Sequence, residues 1–233
     1  MRVGGQVATK AATAVEPGAA LLVDEEPGES YVSRGAHKLA GALEAFAYDP
    51  AGRRVLDAGA STGGFTDLLL RRGAAHVVAV DVGYGQLAWS LQSDPRVTVL
   101  DRTNVRALEP EQVGGPVDLV VADLSFIPLG LVLPALARCA APDADLLPMV
   151  KPQFEVGRER LPSGGVVRDP ALRAETVRTV AGQAAQLGLG VRGVVASPLP
   201  GPSGNVEFFL WLKAGAPPLD EDDLQRAVRE GPS

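Results

Sequence analysis

Only one cysteine and two histidines occur among the 233 residues of this chain, and each shortage removes a kind of chemistry. Cys139 alone makes no internal disulfide and supplies no metal cluster, which fits a reducing cytoplasm. Within the run Leu131 to Ala140 it reads as a small buried apolar residue on a helix. No apolar run approaches the ~20 residues needed to cross a bilayer, and Met1-Arg2 leads into the mixed GGQVATKAATAVEPG rather than a secretory signal. Basic charge is short as well: 22 Lys and Arg against 28 Asp and Glu give a net charge of -6, which argues against coating nucleic acid through bulk electrostatics. Much of the acid lies at the edges, in Asp24-Glu25-Glu26 and Asp220-Glu221-Asp222-Asp223. A local basic surface around Arg34, His37, Lys38, Lys151, Arg158, Arg160 and Arg168 is therefore still available.

What is present is a loop-punctuated globule: 27 glycines, 19 prolines and 46% hydrophobic residues, long enough for one sizeable α/β domain and a small appendage. Its pattern centres on Arg53 to Gly83, RRVLDAGASTGGFTDLLLRRGAAHVVAVDVG. Val55 and Leu56 close a short apolar strand, Asp57 to Gly64 makes a glycine-rich turn, and Phe65 to Leu70 starts a helix. Val77 to Val80 is a second buried strand that ends on Asp81. That order is one βαβ unit, in which glycines let backbone N–H groups approach a ligand at a helix N-terminus and the acid ending the second strand holds a ribose diol. The expected ligand is an adenosine-containing cofactor, with Asp57, Gly59, Ser61, Gly63, Gly64, Phe65, Asp81 and Val82 as its contacts.

Spacing narrows the choice of cofactor. A dinucleotide fingerprint would read GxGxxG, and a phosphate-binding loop would end in Gly-Lys-Ser/Thr. Here an acid, Asp57, stands two residues before the first glycine, and Gly64 is followed by Phe65 and Thr66. The turn resembles the first motif of S-adenosylmethionine-dependent methyltransferases. Gly59-Ala60-Ser61-Thr62-Gly63 also fits GxSxG, the nucleophile elbow of hydrolases. That triad needs a histidine base late in the chain, and neither His37 nor His76 is there.

Residues 1–23 read as short strands and turns, with Gly4-Gly5 and Pro17-Gly18 as turn signals. They resemble the second half of an S4 RNA-binding domain, on a valine-glycine pattern with Lys10 before a Pro-Gly turn, which implies a truncated start; residues 24–30 read as an acidic linker. Ser33 is expected to cap a helix carrying Leu39, Leu43 and Phe46 on its apolar face. After the central unit come an expected helix from Gln86 to Gln92 and a strand from Val97 to Leu100 ending in Asp101. A strand from Val117 to Val121 closes on Asp123, a helix spans Ile127 to Ala140, and a strand from Leu146 to Val150 runs into Lys151. Phe154 to Asp169 is expected as an irregular loop over the same sheet edge, a substrate lid. A helix from Pro170 to Leu187 and antiparallel strands Val191 to Ser197 and Val206 to Leu212 complete the sheet, and residues 216–233 form an acidic helix or a frayed tail.

Taken in order, Arg34-Gly-Ala-His-Lys38, DAGASTGGFTD, VADLSF, VKPQFE and GNVEFF resemble the TlyA (hemolysin A) proteins, a branch of the FtsJ-like RNA ribose 2′-O-methyltransferases, over roughly residues 30 to 213. The resemblance implies an α/β, Rossmann-like class I methyltransferase domain over residues 31–215, with a seven-stranded, mostly parallel sheet whose last strand is antiparallel. It implies S-adenosylmethionine as cofactor, ribosomal RNA or ribosomal subunits as partner, no membrane, a cytoplasmic location and methylation of cytidine ribose. The family's Lys-Asp-Lys-Glu tetrad falls on Lys38, Asp123, Lys151 and Glu207. Asp101, the acid ending the third strand, stands where methyltransferases of this fold commonly contact the adenine amino group, and Asp123 is expected to touch the cofactor as well.

A ribose 2′-hydroxyl is a poor nucleophile at neutral pH, so its proton must be accepted, or its developing alkoxide stabilised, while it attacks a sulfonium methyl group in line. A lysine does either, as a neutral base or as a charged stabiliser. Lys151 is expected in that role, oriented by Asp123. Glu207 and Lys38 complete a formally neutral network that keeps two ammoniums and two carboxylates partnered, and no metal is required. Two other functions compete. A membrane-damaging haemolysin, suggested by the family's other name, needs an apolar anchor; a catalytically silent RNA-binding protein is argued against by the intact tetrad.

Overall fold

The computed structural model describes residues 30–232 throughout and, before them, Arg2–Val3, Gln6–Val7, Val15, Gly18, Ala19 and Leu21–Leu22. The chain divides into two compact units, Met1–Tyr31 and Val32–Ser233. In the first, β1 (Arg2–Val3), β2 (Gln6–Val7) and β3 (Leu21–Leu22) form an antiparallel sheet in the order β2-β1-β3. Lys10, Pro17 and most of the acidic stretch 24–30, on which the S4-like and linker expectations rest, lie outside the described residues.

The second unit is built on a seven-stranded sheet of β4 (Arg54–Ala58), β5 (His76–Val80), β6 (Val97–Leu100), β7 (Val117–Ala122), β8 (Ala140–Val150), β9 (Leu189–Ala196) and β10 (Phe208–Ala214). The order is β6-β5-β4-β7-β8-β10-β9. Neighbours among β4 to β8 run parallel, whereas β10 is antiparallel to both β8 and β9. This is the Rossmann-like methyltransferase sheet expected from the motifs. Its parallel strands are short runs of Val, Leu and Ala because both of their faces must be covered: Val55, Leu56, Val77, Val78, Val120, Val121, Leu146 and Leu147 are all at most 1% exposed. β5 and β7 flank β4 on opposite sides, so the order of strands reverses there. The crevice outside the carboxyl ends of strands at such a reversal is where open α/β sheets bind ligands.

Helices α1 (Gly35–Ala45) and α2 (Gly64–Arg71) pack against each other. Ser33 accepts from the Gly35 amide at 3.3 Å, but Arg34 holds the N-cap position. α3 is only Trp89–Gln92, with irregular backbone from Gly85 to Ala88. The single helix expected from Ile127 to Ala140 is instead a 3-10 turn, Leu129–Leu131, followed by α4 (Leu133–Cys139). β8 begins earlier than expected, at Ala140, which pairs with Val117, because its first turn of strand runs through exposed Pro142 and Asp143, where no apolar pattern marks it. The segment expected as a lid, Phe154 to Asp169, begins inside a short helix, α5 (Pro152–Glu155), and α6 (Pro170–Ala185) follows it. β10 starts at Phe208, leaving Val206 and Glu207 just before it.

The acidic stretch at the end forms α7 (Glu221–Glu230) rather than fraying. The Asp220 side chain accepts from the Asp223 amide, Glu221 to Asp223 fill the positive end of the helix dipole, and Arg229 sits in the last turn. Leu224, Ala227 and Val228 are buried in the same core as Val191 and Val194 of β9 and Val177 and Val180 of α6. Cys139 is fully buried in that core too.

Candidate active site

The turn after β4 is tied to the strands on either side: the Gly59 amide donates to Val80 O at 2.8 Å, and the Asp123 amide donates to Ala58 O at 3.0 Å. Gly59 has φ +87, and a Cβ there would lie 2.7 Å from the carbonyl oxygen of Asp123, so only glycine lets this turn pass the end of β7. The Ser61 amide donates to Asp81 Oδ2 at 2.8 Å and the Gly83 amide to Oδ1 at 2.7 Å. Asp81 is thereby fixed beyond β5 with a lone pair left on each oxygen. A cavity of about 550 Å³ opens here, lined by Gly59, Ser61, Asp81, Val82, Asn104 and Phe126 among others, a size usual for a small-molecule site. A glycine turn open to backbone approach, an acid for a ribose diol, and an apolar wall from Val82, Val105 and Ile127 fit S-adenosylmethionine.

Asp57, Gly63 and Asp101 do not line this groove. Asp57 is fully buried, its Oδ2 accepting from Thr66 Oγ1 at 2.7 Å and its Oδ1 without a hydrogen-bond partner among the described residues. Burial pushes its carboxyl up to about 7; hydrogen bonds from Thr66 oppose the shift and the charges of Asp123 and Asp81 add to it. The Asp101 carboxylate accepts from the Gly85 amide at 2.8 Å, while Asn104, Val105 and Arg106 form the wall expected of it. Gly63 lies against Leu87 and Leu91. Gly64 and Phe65 line an adjoining hollow of about 320 Å³ with Lys38, Asp123 and Lys151. A Cβ on Gly64 would stand 2.9 Å from the Ala36 amide nitrogen, so this glycine lets α1 come close to α2.

Lys38 of α1, Asp123 after β7, Lys151 after β8 and Glu207 before β10 meet at one sheet edge as two ion pairs. Lys38 Nζ lies 2.6 Å from Glu207 Oε2, with side chains 7% and 1% exposed. Lys151 Nζ lies 2.6 Å from Asp123 Oδ1, at 8% and 23%. The reversed direction of β10 makes this possible. Phe208 pairs with Val150, so the residues flanking that pair, Glu207 and Lys151, leave the sheet on the same side. A third cavity of about 820 Å³, lined by Lys151, Glu207, Phe154, Arg158 and Asn205 among others, opens beneath the expected lid. Asn205 tethers that loop: its Oδ1 accepts from the Val167 amide and its Nδ2 donates to Gly165 O, both at 2.9 Å.

Two residues of the VADLSF motif received no role from sequence. Lys151 Nζ donates to Ser125 Oγ at 2.9 Å. Phe126, 89% exposed with φ 64, packs against Phe154 with ring centroids 5.1 Å apart. The available signal was their position directly after a strand-end acid. His76 opens β5, at the opposite sheet edge from Ser61, and bonds Thr98 Oγ1 at 2.9 Å, so it cannot serve the hydrolase elbow as base.

The family model of FtsJ-like methyltransferases matches residues 31–214. The 16S/23S rRNA (cytidine-2′-O)-methyltransferase TlyA of Mycobacterium tuberculosis is 63% identical over 238 residues, covering 100% of this chain and 88% of that protein. Hemolysin A of Brachyspira hyodysenteriae is 34% identical, over 77% of this chain and 75% of its own length. Among solved structures, a hemolysin from Streptococcus thermophilus superposes with a TM-score of 0.83 at 39% identity, covering 88% of this chain and 76% of that one. The seven-stranded sheet, the motifs and these relatives agree, and the chain belongs to the FtsJ-like methyltransferases, in their TlyA branch.

Proposed function

We propose that this chain is an enzyme that transfers the methyl group of S-adenosylmethionine to the 2′-hydroxyl of a cytidine in ribosomal RNA, acting in the cytoplasm on the RNA or on a ribosomal subunit. One observation carries the reading. Lys151 lines both the hollow that meets the cofactor groove at Gly59 and Asp123 and the larger outer cavity, so its amine faces a donor on one side and an acceptor on the other.

The bound cofactor supplies a methyl group activated by a positively charged sulfur. Gly59 and Ser61 would offer backbone to the cofactor at the turn, Asp81 would accept from its ribose hydroxyls, and Val82 with Val105 would cover its ring, all lining the groove. An RNA ribose entering the outer cavity presents its 2′-oxygen to Lys151 Nζ, which takes up the hydroxyl proton or offsets the negative charge growing on that oxygen. Asp123 holds the amine in place, and the buried Lys38 and Glu207 pair supports the wall behind it. The exposed Phe126 ring and the half-buried Phe154 ring beside it offer an aromatic face to an unstacked base. Residues 31–215 carry this chemistry, and residues 1–23, as an S4-like segment, add RNA affinity. No helix among the described residues is long and apolar enough to cross a membrane, and exposed Val82 and Phe126 line the groove; no observation favours a membrane-active reading.

Incubation with tritiated cofactor and ribosomal subunits, followed by mapping of the label, tests this. Label on a cytidine ribose is expected from the wild type and none from Lys151→Ala, which retains cofactor binding. Label on a base, or undiminished label with Lys151→Ala, overturns the assignment.

A further inference from the structure

Ser125 is the one described residue that lines all three cavities: the cofactor groove, the hollow beside Lys38 and the outer cavity. Its Oγ accepts from Lys151 Nζ at 2.9 Å. The usual structural employment of a serine after a strand is helix capping or a turn bond to its own backbone. Ser125 does not cap the helical turn that follows, since Leu129–Leu131 starts from Pro128 without a side-chain cap.

The backbone supplies a second observation. Phe126 has φ 64, a left-handed conformation that is strained for a residue with a Cβ. Strain of this kind persists where the surroundings require it, and it clusters at functional sites. Here it accompanies a divergence of neighbours: Phe126 turns outward to 89% exposure against Phe154, while Ser125 keeps its hydroxyl on Lys151.

The third observation is the geometry of the amine. A lysine nitrogen has three positions beyond its own carbon. In Lys151 one is directed at Ser125 Oγ, 2.9 Å away, the hydrogen bond that the amine makes among the described residues. Asp123 Oδ1 lies 2.6 Å away as an ion-pair partner outside hydrogen-bond geometry, so its charge holds the amine close without fixing its rotation. The bond to Ser125 supplies that direction.

We propose that Ser125 is a positioning residue for methyl transfer: its hydrogen bond orients Lys151 Nζ, held close by the Asp123 charge, so that a free position of the amine faces the ribose 2′-oxygen. The proposal rests on the 2′-O-transfer reading and deepens it. Ser125 exchanges no proton in this role. It acts through Lys151, so its loss should slow the chemical step and leave the binding of both substrates intact.

The test compares wild type, Ser125→Ala and Ser125→Thr with tritiated S-adenosylmethionine and ribosomal subunits, with kcat and KM for the subunit measured separately and cofactor Kd by calorimetry. For Ser125→Ala the expected result is a kcat about 10- to 100-fold lower, the value of one hydrogen bond to a charged group, with KM and Kd within about twofold of wild type. Ser125→Thr, which keeps the hydroxyl, should recover kcat to within about threefold of wild type. A wild-type kcat in Ser125→Ala overturns the proposal. So does a loss confined to KM or Kd, or a threonine variant as slow as the alanine one. A wild type that labels no ribose sinks the transfer reading itself, and that outcome is distinguished by being reached before any variant is compared.

Discussion

The Lys38–Glu207 pair should break asymmetrically. At an effective dielectric of about 20, unit charges 2.6 Å apart attract by about 6 kcal/mol. Taking each ion out of water costs several kcal/mol, so the intact pair contributes little net stability. Removing one partner is different. Exposures of 7% and 1% leave the surviving charge largely desolvated, and the expected loss is about 3–5 kcal/mol. For a unit of this size each kcal/mol lowers Tm by about 2–4 °C, so Glu207→Ala and Lys38→Ala should each melt roughly 6–20 °C below wild type. Replacing both by apolar residues of similar volume, Lys38→Met with Glu207→Leu, should bring Tm back to within about 3 °C of wild type. Thermal unfolding followed by circular dichroism measures all three variants. Single variants that melt with the wild type, or a double variant no better than the worse single one, would refute the reasoning that an orphaned buried charge dominates the loss.

Gly59→Ala should abolish cofactor binding in calorimetry and destabilise the fold by about 1–3 kcal/mol, since a left-handed φ and the 2.7 Å approach to the Asp123 carbonyl both resist a Cβ; an unchanged Kd would remove this turn from the cofactor site. Stability in urea should fall as pH rises from about 4 to 7, because Asp57 and Glu155, both pushed up to about 7 chiefly by burial, still hold protons in the folded chain that the unfolded chain has released. Asp57→Asn should flatten that slope, and an unaltered slope would mean that Asp57 ionises in the fold as it does in the unfolded chain. Asn205→Ala leaves the Val167 amide and the Gly165 carbonyl without their side-chain partner, so limited trypsin should cut faster at Arg158, Arg160 and Arg168 with cofactor Kd unchanged; an identical digestion course would exclude the tether.

The parallel core was legible in the sequence because each of its strands holds a short apolar stretch that ends near an acid or Lys151. What strand position did not reveal was the side of the sheet each acid faces. Asp57 belongs to β4 itself, and its side chain is directed to Thr66 of α2, behind the turn. Asp81 lies just beyond β5 and is free to receive the Ser61 and Gly83 amides from the ligand side. A shift of one residue in a strand moves a side chain to the other face, and no count of apolar residues supplies that phase. The region after Asp123 misled for another reason. The expected helix from Ile127 to Ala140 has Pro128 near its start, but Pro134 is the proline that stands in a first turn. A helix begun at Pro128 would have carried Pro134 inside it, at the loss of a backbone hydrogen bond. The tetrad was legible only through the order of its motifs, because four residues on four elements share no local periodicity.

Two ion pairs of equal length differ here in how far solvent reaches their carboxylates. Lys38 and Glu207 close on each other with side chains 7% and 1% exposed. Asp123 keeps 23% of its side chain exposed, and the lysine it holds has a second contact to a side chain at the meeting point of three cavities. The role proposed for Lys151 needs this combination: enough burial to be held, and one open side for an oxygen to approach. The antiparallel β10 is what separates the two pairs. Running against β8, it brings the residue before the strand, Glu207, to the edge where parallel strands bring the residue after theirs. The sheet thus delivers a carboxylate to Lys38 without drawing on Asp123, which pairs with Lys151.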